Sequence, residues 1–222
     1  MSDHISPRQF RESAGVEDWR VISDGAVAYF RTTSFAESAR FVQAIAQLPG
    51  IAPLRPDVDV RDGLVAVRVI TYEGTYRGMS QRDVDFARDV SAAARKLGLE
   101  ADPSKAQSVL IIPGAPDIAK VMPFWEAVLG YERRKDSPSE DLVDSDERGP
   151  AFWFEQMKSP RGDGGGAIHI CVWVPYEQAQ ARIAAALAAG GRMVRADFAP
   201  SWWTLADAFG NEADIATTQG RD

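Results

Sequence analysis

An internal repeat in the second half of the chain constrains the fold more than any other feature of the sequence. Each copy opens with an apolar strand, at 107–112 and at 167–174, and continues through a helical segment. Each copy closes with a strand, at 151–156 and at 206–215. Two such units are expected to pack side by side into one cupped sheet.

Short motifs accompany this repeat. The first copy contains Phe124-Trp125 followed by Leu129-Gly130-Tyr131, and the second contains Asp207-x-x-Gly210-Asn211 before the final strand. With these motifs, the last half of the chain resembles the glyoxalase/bleomycin-resistance superfamily, also called vicinal-oxygen-chelate proteins. The resemblance implies paired βαβββ units with a pocket for a small-molecule ligand inside the cup.

Composition limits the partners of the chain. Its 222 residues suffice for two compact domains. A net charge of -7 without a long basic run argues against nucleic acid and favours a small molecule. The single cysteine, Cys171, cannot form an internal disulfide, and the sequence shows no signal peptide or membrane span. A cytoplasmic protein is therefore expected.

The domain boundary is predicted at residue 103, which divides the chain into 1–103 and 104–222. Gly98 suits the end of a long amphipathic helix, and Pro103 prevents its continuation. Before this boundary, capping residues and turn dipeptides predict the order αββαββα, with hairpin turns at Asp24-Gly25 and Asp62-Gly63. The fold class is therefore α+β, an antiparallel sheet backed by helices, followed by the cupped sheet. One helix should bury an apolar face that includes Phe35.

The first half resembles pterin-4a-carbinolamine dehydratase over nearly its whole length, through Trp19-Arg-Val-Ile, Arg55-Pro-Asp57 and the segment 78–87. The resemblance implies three catalytic histidines, but their positions hold Leu54, Arg55 and Tyr72 here. Because dehydration needs an acid and a base near neutral pH, this domain is interpreted as catalytically degenerate. It is then a structural or oligomerising scaffold, a pocket with an altered ligand, or a residual dehydratase. By analogy with that family, the chain is expected to form a homo-oligomer.

Polar residues remain at the mouth of the implied dehydratase site. Arg55 and Tyr72 lie there with Asp57 and Asp59, and Arg55 could clamp an anionic or planar ligand. Arg55 and Tyr72 are therefore candidate ligand-binding residues. The alternative is that these side chains are solvated at strand ends.

Strand alternation predicts which residues of the second half face the pocket, since successive side chains point to opposite faces. On one strand, Trp153 and Glu155 share a face, and on another His169 and Trp173 do. The apolar faces opposite them should be covered by helices. His169 and Glu155 are therefore candidate catalytic residues.

The glyoxalase resemblance also implies a metal site, because metalloenzymes of that superfamily carry ligands on the first and last strands of each unit. Here those positions give Gln107, Glu155, His169 and Asp214, a set similar to that of glyoxalase I with Asp in place of a second Glu. Such a set suits a divalent ion such as Zn, Ni, Mn or Fe. The alternative is a metal-free pocket in which His169 acts as acid, base or hydrogen-bond donor.

Tryptophans support the pocket. Trp153, Trp173, Trp202 and Trp203 could line a slot for a flat or extended organic molecule, whereas Trp125 on a helix is expected in the core. The leading hypothesis is a small-molecule enzyme that performs a lyase, isomerase or cyclisation step, as in secondary metabolism. The alternatives are a binding or drug-sequestration protein and a residual dehydratase.

Overall fold

A computed structural model describes residues 3–158, 168–206 and 212–221, and the chain forms two compact units. Unit 1 comprises Met1–Ala106 with Thr218–Asp222, and unit 2 comprises Gln107–Thr217. The return of the C-terminal residues to unit 1 was not part of the sequence prediction. The Asp207-x-x-Gly210-Asn211 motif lies outside the described residues. None of the helices described is long and apolar enough to cross a membrane.

Unit 1 combines helices with antiparallel strands. Its described elements are, in order, β1 (His4–Ile5), α1 (Pro7–Glu12), β2 (Trp19–Ile22), β3 (Gly25–Arg31), α2 (Phe35–Ala46), α3 (Ile51–Leu54), β4 (Asp57–Arg61), β5 (Leu64–Val69), β6 (Thr71–Glu73), β7 (Tyr76–Ser80) and α4 (Gln81–Lys96). One sheet has the order β2-β3-β5-β4, and a second has the order β1-β7-β6. Strands β1, β6 and β7 form a second sheet that the sequence pattern did not indicate.

Local chemistry fixes the ends of the helices in unit 1. The Ser6 side chain accepts a hydrogen bond from the Gln9 amide, and Ser34 does the same for Glu37. Helix α2 buries Phe41 and Ile45, whereas Phe35 is 75% exposed. The expected place of Phe35 in the core is therefore wrong. It is the first residue of α2, and its side chain points to solvent there.

The two hairpin turns of the four-stranded sheet differ from one another. Arg61 pairs with Leu64, which leaves Asp62-Gly63 as the turn, as the sequence predicts. Ile22 pairs with Gly25, so the other turn is Ser23-Asp24, one residue earlier than expected. Ser23 takes the positive φ of 55° that glycine was expected to supply.

Unit 2 is built around one mixed sheet. Its described elements are, in order, β8 (Ser108–Ala115), α5 (Ile118–Leu129), β9 (Glu132–Arg133), β10 (Asp141–Val143), β11 (Ala151–Trp153), β12 (Glu155–Gln156), β13 (Ile168–Trp173), α6 (Tyr176–Ala188), β14 (Arg192–Arg195), β15 (Trp202–Ala206) and β16 (Glu212–Ala216). The sheet order is β14-β15-β16-β13-β8-β11-β10-β9, and β12 also pairs with β8. Strands β8 and β13, which open the two repeats, join the halves in antiparallel register.

Both long helices of unit 2 pack on the same face of this sheet. Helix α5 lies with an apolar cluster that includes Met122, Phe152 and Phe154. Helix α6 contributes Ile183 to a second cluster with Trp203, Leu205 and Ile215. The opposite face carries His169, Cys171 and Trp173 and is called the His169 face below. Trp203 is thus a core residue, because it alternates with its neighbour Trp202, which lies on the His169 face.

Candidate functional site

The strand register of unit 2 places polar residues in one row across the His169 face. Cys171 of β13 pairs with Asp214 of β16, and Asp214 pairs with Thr204 of β15. Residues paired across neighbouring strands point to the same face. His169 lies two positions before Cys171 on the same strand and therefore shares that face. The fold thus brings together side chains from both strands of the last hairpin and from the strand that opens the second repeat.

His169, Asp214 and Thr204 form a continuous chain of polar contacts. The Nε2 atom of His169 lies 3.3 Å from Oδ2 of Asp214. The hydroxyl of Thr204 donates to the other carboxylate oxygen, Oδ1, at 2.6 Å. Asp214 is 11% exposed and His169 20% exposed, so the carboxylate is buried while the ring keeps a path to solvent. Asp214 therefore orients the imidazole, and Thr204 orients Asp214.

The electrostatic environment makes the His169 ring more basic than usual. Burial alone lowers the pKa of His169, because it disfavours the charged form. The hydrogen bond and charge of Asp214 act in the opposite sense, with further contributions from Glu155 and Glu212. Together they outweigh burial and raise the pKa of His169 above its usual 6.5. Near neutral pH the ring can therefore hold a proton that it accepts.

Trp153, Glu155 and Trp173 lie on the His169 face of the sheet. Glu155 pairs with Gly114 of β8 and is half-buried. Trp153 donates its indole N–H to Glu140 at 3.3 Å. Trp173 is 9% exposed and lies on the same face as His169. Trp173 follows His169 by four positions on β13, about 13 Å along the strand, and Trp153 lies two strands away across β8.

Gln107 does not join this group. Its side-chain oxygen accepts a hydrogen bond from Arg182 of α6 at 2.9 Å, which places it on the helix-covered side. His169 pairs with Ile112, whereas Trp173 pairs with Ser108 at the other end of β8. At about 3.3 Å per residue, Gln107 lies roughly 16 Å along the strand from the position of His169.

The four-residue metal set expected from the glyoxalase resemblance is therefore not assembled. Within residues 3–158, 168–206 and 212–221, no group of three or more His, Cys, Asp or Glu side chains is arranged to hold a metal ion. Asp214, one of the expected ligands, is already engaged by Thr204 and His169. The donors present do not fit the expected ion.

Trp202 is joined by two residues that the sequence analysis did not single out. The ring of Phe198 stacks on Trp202, with centroids 4.2 Å apart and planes 12° apart. The Arg195 guanidinium lies over Phe198, 5.3 Å from its centroid. The local sequence offered one signal for this cluster, an aromatic residue four positions before Trp202 in a short loop. It gave no indication that the arginine shares the cluster.

The two candidate residues of unit 1 lie on different elements, Arg55 at the end of α3 and Tyr72 on β6. Arg55 is exposed just before β4, with a positive φ of 46°. Tyr72 of β6 is 56% exposed, and its hydroxyl accepts a hydrogen bond from Arg77. A cavity of about 220 Å³ in unit 1 is lined by other residues, among them Asp24, Tyr76 and Arg77. Neither Arg55 nor Tyr72 lines this cavity.

Comparison with known proteins bears on unit 2. Residues 109–216 match the family model of the glyoxalase-like domain. The comparison with curated proteins found no match. A structure of an NAD-dependent benzaldehyde dehydrogenase from Legionella pneumophila is similar at 13% identity and a TM-score of 0.37, over 49% of this chain and 97% of that one.

A second solved structure, a glyoxalase/bleomycin resistance protein/dioxygenase superfamily member from Vibrio splendidus, is similar at 17% identity. Its TM-score is 0.33, and the similarity covers 50% of this chain and 99% of the other. The family match carries the assignment, since it spans the strands from β8 to β16 and both long helices of unit 2. Residues 109–216 of this chain are thus similar to the glyoxalase-like domain.

Proposed function

We propose that unit 2 is the catalytic part of a small-molecule enzyme that acts on an oxygen-rich organic substrate. Its reaction is a lyase, isomerase or cyclisation step that begins with proton transfer to His169. The observation that supports this proposal is the chain of contacts from His169 through Asp214 to Thr204 on the His169 face. A histidine held by a buried carboxylate is a common arrangement for a general base.

In this proposal, the two ring nitrogens of His169 have different roles. Because Nε2 of His169 faces Asp214, the neutral ring carries its lone pair on Nδ1. Nδ1 takes a proton from a carbon next to a carbonyl, and the electron pair of the broken C–H bond moves onto the carbonyl oxygen. The imidazolium that forms is stabilised by Asp214 and by the charge of Glu155. It then returns the proton to a neighbouring carbon, in an isomerase, or to a leaving oxygen, in a lyase.

The indole of Trp153 supplies binding rather than chemistry in this proposal. It is partly exposed on the His169 face, and flat apolar surfaces of this kind hold planar or extended molecules. The burial of Asp214 strengthens its interaction with His169. A substrate with a flat carbon skeleton and two oxygen functions suits this surface.

A non-catalytic binding protein is the second candidate function. Both carboxylate oxygens of Asp214 are already engaged within the protein. That arrangement would serve equally to fix a single hydrogen-bond donor or acceptor for a sequestered ligand. The two candidates differ in whether substitution of His169 abolishes turnover or only weakens affinity.

In this proposal, unit 1 serves as the domain through which the chain self-associates. The positions that a dehydratase fills with histidine hold Leu54, Arg55 and Tyr72. We expect no dehydration of a pterin carbinolamine above the uncatalysed rate, measured spectrophotometrically. We also expect self-association, and a monomer in sedimentation at tens of micromolar protein would contradict the assembly role.

Solvent deuterium exchange tests the catalytic proposal without knowledge of the natural substrate. The full chain is incubated in D₂O with a panel of α-hydroxyketones, β-hydroxyketones and 1,3-dicarbonyl compounds, and deuterium uptake is followed by mass spectrometry. We expect accelerated uptake for at least one compound and its loss in His169→Gln. His4→Gln is the matched control, because His4 is the other histidine of the chain and lies in unit 1. Uptake that survives in His169→Gln would contradict the proposed base.

A further inference from the structure

Strand β14, at one edge of the sheet of unit 2, contains a β-bulge. Arg192 pairs with Ala206 and Met193 with Leu205, but Thr204 pairs with Arg195 rather than with Val194. Val194 is thus the extra residue. A bulge of this kind re-aims the side chains that follow it.

The bulge places two arginines on the same face. Without the extra residue, Val194 would stand opposite Thr204 and Arg195 would point to the helix-covered side. With it, Arg192 shares the face of Ala206, and Arg195 shares the face of Thr204. Thr204 in turn pairs with Asp214, so both arginines stand on the His169 face. Their partners on β15 are two residues apart, about 7 Å.

Among the described residues, neither arginine forms an ion pair with a carboxylate. In the three described ranges, no Asp or Glu lies within ion-pair distance of Arg192 or Arg195, although the chain has a net charge of -7 and many of its other arginines are paired. Two neighbouring guanidinium groups repel each other, and an oxyanion between them removes that repulsion. Guanidinium also binds carboxylate and phosphate through two parallel hydrogen bonds.

Flat rings lie next to this cationic edge, at the Trp173 end of the His169 face. The guanidinium of Arg195 lies over Phe198, and Phe198 stacks on Trp202. Phe198 is 46% exposed, so part of this aromatic surface is open to a ligand. The carboxylates of Asp214, Glu155 and Glu212 raise the pKa of His169, so the surroundings of that ring would repel an anion.

We propose that Arg192 and Arg195 form an oxyanion-binding edge that selects a planar ring bearing a carboxylate or a phosphate. The anionic group binds at β14, and the ring lies along Phe198 and Trp202. The register leads from Trp202 through Ala216 to Trp173, four positions from His169, so this binding surface is separate from the proposed base. The inference therefore goes beyond the proposed function and does not depend on it.

Equilibrium dialysis of the full chain with matched probes tests this inference. The probes are 2-naphthoate, 2-naphthyl phosphate and the uncharged 2-naphthamide. We expect at least one anionic probe to bind more tightly than the amide. In R192Q/R195Q, its affinity should fall by about tenfold or more, as for the loss of charge-assisted hydrogen bonds, while amide binding stays unchanged. Phe198→Leu should weaken the charged and uncharged probes alike.

Arg133→Gln is the control variant. Arg133 lies on β9, the opposite edge strand, and is paired with Glu126 of α5 at 3.3 Å. Its replacement should leave all three affinities unchanged. The inference is overturned if no anionic probe binds more tightly than the amide, or if R192Q/R195Q binds the anions as the unmodified chain does. Should His169-dependent deuterium uptake persist in that case, the proposed function stands and only the oxyanion-binding edge is wrong.

Discussion

At the scale of single residues, the hydroxyl of Thr204 is a buried hydrogen-bond donor to a buried acceptor. It is 2% exposed and donates to a carboxylate that is itself almost buried. A buried acceptor that loses its donor cannot turn to water instead, so the cost of removal exceeds the strength of the bond itself. The importance of Thr204 could not be inferred from sequence, because its partner lies on another strand.

Replacement of Thr204 by Val tests this position. The change keeps the shape of the side chain but removes the donor to Asp214. We expect the free energy of unfolding to fall by about 1–3 kcal/mol in urea denaturation. Thr204→Ser, which keeps the hydroxyl, is the control and should lose less. A larger loss in Thr204→Ser would show that packing of the methyl group outweighs the hydrogen bond.

The pH dependence of stability tests the environment of His169. A histidine whose pKa is raised in the folded state stabilises the fold fully below its unfolded pKa, and this contribution is lost as pH rises through the folded pKa. The unfolding free energy should therefore decline as pH rises from about 6.5 through the raised pKa of His169. Asp214→Asn should flatten this dependence, because it removes the largest favourable influence. NMR titration in a His4→Gln background follows the single remaining imidazole directly.

At the scale of elements, the sequence predicted what depends on local periodicity and missed what depends on register. Strand alternation alone places His169, Cys171 and Trp173 on one face. The same rule shows that Trp202 and Trp203 cannot share a face, but which of them faces the core is decided by the pairing of β15 with β16. The bulge that moves Arg195 to the opposite face of the sheet has no signature in the sequence of β14. Gln107 was misplaced because β8 begins one residue after it.

In helix α2, the sequence likewise did not predict correctly which side chains are buried. Its fully buried ring is Phe41, which meets Phe30 edge-on with centroids 5.0 Å apart. Phe41→Ala should destabilise unit 1 by about 3–5 kcal/mol, as is usual for a buried aromatic side chain. Phe35→Ala, on the same helix but exposed, should change the unfolding free energy by about 0.5 kcal/mol or less. Urea denaturation followed by circular dichroism compares the two, and a larger loss for Phe35 would contradict the described packing.

At the scale of the whole molecule, the residues of unit 1 come from both ends of the chain. Thr218–Asp222 belongs to unit 1, and Arg11 of α1 donates to the hydroxyl of Thr218 at 3.0 Å. The predicted boundary at residue 103 could not include this return, because no composition shift or motif marks the last five residues. Their place is set by contacts with a helix that lies far away in sequence.

Truncation after Thr217 tests this arrangement. We expect faster amide hydrogen exchange in α1 and its surroundings, measured by mass spectrometry, with little change in unit 2. Arg11→Ala should reproduce part of the effect. Arg8→Ala is the matched control, because Arg8 lies on the same helix but pairs with Glu12. Faster exchange confined to unit 2 would contradict the assignment of the C-terminal residues.

The return of the C-terminal residues also makes unit 2 an insertion within unit 1. Unit 2 is tethered covalently to unit 1 at both of its ends, so a protease that cuts the chain once near residue 106 leaves the two units joined through Thr217-Thr218. During vectorial synthesis on the ribosome, all the residues of unit 2 emerge before the segment that completes unit 1. Synthesis of unit 1 therefore starts before that of unit 2, but the last segment of unit 1 is made after all of unit 2.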